Sequence, residues 1–212
     1  MYLFPGIVTD TKDPQDLARV MVKFPTFGPE IVSTLCRLVA LGAGSDRGIE
    51  FIPEVDDEVL CIGNTVDSLY ILGGLWSSVD LAPQKNSQAA PSGSVEKRVI
   101  RSRLEKEILL DDGSDGGIRI IDGSGNKIDL KTASGDLNIE VQGNITLKSK
   151  TGSITIDAFQ GVSVKAMTEF SAEAQGTATV KATGSATLEG TANVGVKSGG
   201  LVSLSGSAVS LG

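Results

Sequence analysis

Two acidic clusters and two cysteines are the residues of this chain whose types could support chemistry. Asp56-Asp57-Glu58 and Asp111-Asp112-Gly113-Ser114-Asp115 could offer carboxylates to a divalent cation, and Cys36 with Cys61 could form a disulfide or a metal site. Their spacing argues against each role. Asp111–Asp115 lacks the calcium-loop pattern, GGxGxD repeats are absent, and short Asp-Gly runs build turns. The cysteines lie in apolar, strand-like surroundings without a CxxC pair, which predicts two buried thiols. The chain contains no histidine. That removes the commonest general base and metal ligand, and with them every Ser-His or Cys-His arrangement. The reading is a non-enzyme with no catalytic residue, no cofactor and no metal. A net charge of −7 also speaks against a nucleic-acid partner, including the OB modules that stack bases in a basic groove. Met1–Val8 has no signal-peptide character and no apolar run spans a bilayer, so synthesis in a cytoplasm is expected.

The elements that remain to be explained are built on a period of eight. From Ile154 it gives Ile154, Val162, Phe170, Ala178, Ala186, Val194 and Val202; from Ile156 it gives Ile156, Val164, Ala172, Val180, Leu188, Val196 and Leu204. All are apolar, and the residues between them are nearly all polar. Each octad therefore reads as a short strand with an inward face, followed by a corner at Gly152, Gln160, Thr168, Gly176, Gly184, Ala192 or Gly200, where glycine permits a positive φ. A third inward column runs from Ala158 through Ala166, Ala174 and Ala182 to Gly190, Ser198 and Gly206, so the side chains taper.

Aromatic residues divide the chain. Tyr2, Phe4, Phe24, Phe27, Phe51, Tyr70 and Trp76 precede residue 80, and only Phe159 and Phe170 follow it. This predicts a compact N-terminal domain whose core the aromatics fill. Candidate strands at 6–10, 19–24, 32–41, 58–63 and 69–75 suggest a five-stranded barrel of the OB type over residues 1–80. Residues 81–112 read as linker and neck; its Pro/Ser-rich start has no periodicity, and 95–110 fits either a helix or strands. Residues 113–212 read as the rod. The expected class is all-β: an OB barrel followed by an intertwined triple-stranded β-helix.

Trimerisation follows from stability. One octad cannot enclose a core, and a single-chain solenoid needs about 24 residues per coil, which leaves fewer coils than such folds require. Three chains supply three strands per layer from the first octad onward. The expected trimer core is Ile154, Ile156, Val162, Val164, Phe170, Val180, Leu188, Val194, Val196, Val202 and Leu204. An outward column, Asp157, Lys165, Glu173, Lys181, Glu189 and Lys197, alternates in sign and would form inter-chain ion pairs that specify register.

The run from Gly6-Ile7-Val8-Thr9-Asp10 through Asp16–Pro25, Gly44–Gly48 and Phe51–Leu60 to Tyr70–Trp76 resembles the OB domain of the central spikes of contractile injection machines. These are phage baseplate spikes and VgrG-type spikes. The Gly123–Leu130 segment followed by octads is similar to the start of the family's rod. The resemblance implies a homotrimer seated on a baseplate hub protein at its N-terminal end, in a virion tail or equivalent injection particle. It implies a rod that breaches the target envelope. The chain departs from relatives with a lysozyme insert, and from those with an iron site built on histidines. Its blunt end, with Val209 and Leu211, predicts a contact with a separate PAAR-type tip protein. The competing class is a β-solenoid tail fibre or adhesin, which would need a receptor-binding head.

Overall fold

The computed structural model describes residues 2–210 and separates into two compact units, Met1–Leu147 and Lys148–Gly212. In the first, β1 (Tyr2–Asp10), β2 (Met21–Lys23) and β3 (Arg37–Leu38) precede a small hairpin, β4 (Ala43–Gly44) with β5 (Arg47–Gly48). Then come β6 (Glu58–Thr65) and β7 (Ser68–Gly74), giving the sheet order β2-β1-β6-β7-β3. β3 pairs parallel with β7, and the other pairs are antiparallel. The open seam closes through bridges Val20↔Cys36 and Lys23↔Val32. There the Cys36 N–H donates to the Val20 carbonyl at 2.8 Å and the Ser33 N–H to that of Val22 at 2.8 Å. The sheet thus curls into the expected five-stranded barrel, with no long unpaired edge left at that seam.

Alternation explains why these segments are strands. β6 buries Val59, Cys61 and Gly63 and turns Glu58, Leu60 and Ile62 towards partial exposure; β7 buries Leu69 and Ile71. With Val8, Val20, Val22, Phe24 and Cys36 they form the core. The aromatics do not fill it as expected: among those seven only Phe24 is fully buried, while Tyr2, Phe27, Phe51, Tyr70 and Trp76 are exposed. The interior is too narrow for more rings. A Cβ on Gly6 would run into Val22 Cγ1 and come within 2.9 Å of the Phe24 ring, so strand β1 passes over the one large side chain only because residue 6 has none. Phe4 packs edge-on to Phe24 and Phe27 at one end of the barrel.

The segment 81–112 is more ordered than a linker. It holds the one-turn α1 (Asn86–Ala89), then β8 (Lys97–Arg101) and β9 (Glu107–Asp111). These strands continue into β10 (Gly117–Ile121), β11 (Lys127–Lys131) and β12 (Leu137–Glu140) as one antiparallel meander, order β12-β11-β10-β9-β8. The alternatives at 95–110 resolve to strands. Residues 117–140, expected as the first rungs of the rod, pair antiparallel within the chain instead. The reason is the connections: Asp122–Asn126 reverses the chain with positive φ at Gly123 and Gly125. The Asp122 carboxylate accepts the N–H groups of Ser124 and Asn126. A reversing turn makes neighbours antiparallel, whereas a climbing helix needs corners that carry the chain onward.

In the second unit no strand ladder forms among the described residues, and every described residue is exposed. Extended segments are separated by bends at Phe159-Gln160, Met167-Thr168, Gln175-Gly176, Thr183-Gly184, Thr191-Ala192 and Gly199-Gly200, eight residues apart. The bends fall at the sequence-derived corners. Their glycines, however, do not adopt the left-handed φ expected of them; each corner is a bend between extended segments and needs no αL residue.

Candidate assembly surface

The meander has two unlike faces. Cross-strand partners Ile100, Ile108, Ile120, Ile128 and Ile139 make one row. Leu110, Ile118, Leu130 and Leu137 make the next, with Arg98 at its β8 end. These nine apolar side chains remain 42–60% exposed. The opposite face carries cross-strand ion pairs: Lys97–Asp111 at 3.7 Å, Arg101–Glu107 at 3.6 Å, Arg119–Asp129 at 3.6 Å and Lys127–Glu140 at 2.9 Å. One side is finished for water and the other is not. The Ile row, with Phe51 from the barrel's loop and Val141, lines a concavity of about 580 Å³. Sequence reading found the apolar residues from Ile118 onward but missed β8 and β9 as part of the same face. The signal there was the alternation of Ile100 with Ile108 and Leu110, blurred by Val99 and Leu109 on the charged side.

The chain's exit from the meander is fixed locally. The Gln142 N–H donates to Asn126 Oδ1 at 2.8 Å, and Gln142 Nε2 to the Ser124 carbonyl at 2.8 Å. The turn inside Gly123–Leu130 therefore clamps the residue that follows β12. The same turn holds the Asp122 carboxyl below the usual carboxylate range, through the Ser124 N–H and the Asn126 side chain.

All eleven expected core residues, from Ile154 to Leu204, are 47–91% exposed in the single chain. Asp157, Lys165, Glu173, Lys181, Glu189 and Lys197 take part in none of the ion pairs found among the described residues. Val209 is exposed, and Leu211 lies outside the described residues. One chain thus brings none of these residues together into a core.

The acidic clusters lie at turns and the strand ends beside them, with Glu58 opening β6 and Asp111 closing β9. Asp57 accepts the Glu54 N–H at 2.7 Å, Asp111 accepts that of Gly113 at 3.0 Å, and Asp112 pairs with Arg98 at 2.6 Å. Among the described residues, no group of three or more Cys, Asp or Glu side chains is arranged to hold a metal ion. Cys36 and Cys61 are buried and unpaired; burial raises both thiols, Cys61 to about 12. Sequence reading also missed a staple ahead of β2. Arg19 donates to both carboxylate oxygens of Asp13, at 2.6 and 2.8 Å, while Asp13 also accepts backbone N–H groups of Gln15 and Leu17. An Asp and an Arg six apart across a polar loop gave little warning of it.

Residues 4–76 match the family model of the type VI secretion system/phage-baseplate injector OB domain. The matched stretch is the barrel, from inside β1 to just past β7. The first unit therefore contains an OB domain of the baseplate-injector class, and the resemblance drawn from residues 6–76 holds. That class is structural rather than catalytic. No curated protein matches the chain. No helix among the described residues is long and apolar enough to cross a membrane.

Proposed function

We propose that this chain is the central spike of a contractile injection machine, working as a homotrimer whose rod breaches the target envelope. The observation that carries this reading is a mismatch inside one chain. An injector OB barrel with a closed core precedes two segments, the meander and the octads, whose apolar residues lie regularly spaced and exposed. Exposed apolar area of this extent marks association. At about 25 cal/mol per Å², covering it supplies a large driving force. Two further copies of the chain supply it at the same heights along the axis, because the octad columns repeat identically in each.

In this trimer the eleven core residues line the axis and the alternating charges sit outside. About eight octads after residue 147, each climbing about 4.8 Å, give a rod of about 40 Å. The barrels face the baseplate hub. Val209 and Leu211, tripled by symmetry, offer apolar side chains to a PAAR-type tip protein. The particle is a virion tail or an equivalent injection apparatus. Mechanical work comes from the machine and needs no chemistry in the spike, which agrees with the buried thiols and turn-bound carboxylates.

Sedimentation equilibrium of the full chain tests the reading. A mass of three times 21.9 kDa is expected. A stable 21.9 kDa species at micromolar concentration would overturn it.

A further inference from the structure

Five large apolar residues of the rod, Phe159, Met167, Leu201, Val209 and Leu211, belong to none of its inward columns, and the first two share one outward column near its start. Phe159 and Met167 are eight residues apart, each at the first position of a bend. Alternation from Ile154, Ile156 and Ala158 puts Phe159 on the outward side, and Met167 follows Val162, Val164 and Ala166 in the same way. Among the described residues they are the most exposed large apolar side chains of the rod unit, at 105% and 97%. The same column continues as Gln175, Thr183, Thr191 and Gly199, so the apolar pair occurs once, in the first complete octads.

We propose that Phe159 of one copy packs against Met167 of a neighbouring copy, forming an outer belt that sets the three chains one octad apart. This rests on the trimeric reading above. Successive octads of one chain occupy successive faces of the rod, one strand spacing higher each time. Threefold symmetry then lays the neighbour's next octad on the same face, so residue i lies beside residue i+8 of that neighbour at about 4.8 Å. Phe159 thereby meets Met167, a favourable contact between ring and thioether. Two residues earlier, Asp157 meets Lys165 at the same stagger, with opposite charge.

The apolar pair discriminates where the charges do not. In a single-chain coil of about 24 residues, Asp157 still meets Lys181, but Phe159 meets Thr183 and Met167 meets Thr191. Only the one-octad stagger between chains joins the two apolar side chains. Three Phe159–Met167 contacts would close a ring around the rod just where the repeat becomes strict.

The test is the full-length double variant Phe159→Cys/Met167→Cys, oxidised with diamide and run boiled on a non-reducing gel. Adjacent strands meet the Cα separation a disulfide needs, about 5.5 Å. Native Cys36 and Cys61, buried with raised thiols, leave the background silent. The expected result is a covalent trimer from the double variant and no covalent multimer, dimer included, from either single variant. A double variant that sediments as a trimer yet forms no covalent trimer overturns the stagger, as does covalent dimer from Phe159→Cys alone, which would put the same position of two copies side by side. Wild-type chain that sediments as a monomer overturns the trimeric reading beneath it. Phe159→Gln/Met167→Gln gives a second readout, with trimer dissociation expected several degrees lower than in wild type. An unchanged dissociation temperature would mean the belt serves a different partner, and overturns the proposal.

Discussion

The barrel and the octad segment both space their apolar residues regularly, yet only the barrel encloses a core in a single chain. The barrel encloses Val8, Val20, Val22, Val59 and Ile71 almost fully, because its strands close on themselves through the Val20↔Cys36 bridge. The octad segment has as regular an apolar pattern, and Val180 is 91% exposed. Pattern alone does not make a core. What differs is the turn chemistry: reversing turns return the barrel and meander strands to their own neighbours, while octad corners carry the chain onward.

Four substitutions break or sharpen that contrast. The largest effect is expected from Val180→Asp. It places three charges in the proposed dry core, so heat- and SDS-resistant trimer should disappear from gels while the barrel's thermal transition stays in place. Ile71→Ala reverses the pattern. Loss of a fully buried side chain costs about 2–5 kcal/mol, lowering the barrel's unfolding midpoint in denaturant without changing the sedimenting mass.

Asp13→Asn sharpens the barrel side through pH. Arg19 holds the Asp13 carboxyl well below its usual range, so the unfolded chain takes up this proton before the folded one. The stability it adds is complete above pH about 4 and is lost as pH falls further. Acid titration of the unfolding midpoint should show wild type losing its advantage over the variant below about pH 4; a constant gap would remove Asp13 from the account. The smallest effect is expected from Glu173→Lys. It puts like charges beside Lys165 and Lys181 in the proposed trimer, lowering the trimer's dissociation free energy by at most about 1 kcal/mol, and the difference should vanish in about 1 M salt.

The barrel was legible because its strands alternate and end at turns, as at Phe24-Pro25; the turn expected at Gly63-Asn64 falls later, at Val66-Asp67, because β6 runs on to Thr65. The octad corners were legible for the same reason, and the bends at Gln160, Thr168 and Gly176 fall on them. The hairpin β4–β5 was not, since two-residue strands have no period to read. β8 and β9 were obscured by charges and apolar residues sharing both faces. Their cross-strand partners, such as Lys97 with Asp111, became visible only once the register was fixed. The aromatic residues misled, because a narrow barrel bounded by Gly6 has room for Phe24 and little else.

The meander's turns also set a timetable. Each of its strands pairs with the one made immediately before it, so most of its contacts are local and can form within microseconds of synthesis. The barrel pairs β1 with β6 and β3 with β7, contacts more distant in sequence, and is expected to form more slowly once synthesised. The octads have no partner within their own chain, so under the trimeric reading their folding rate depends on encounters between copies. Three stretches of one polypeptide would then mature on three clocks, and only the last would slow on dilution.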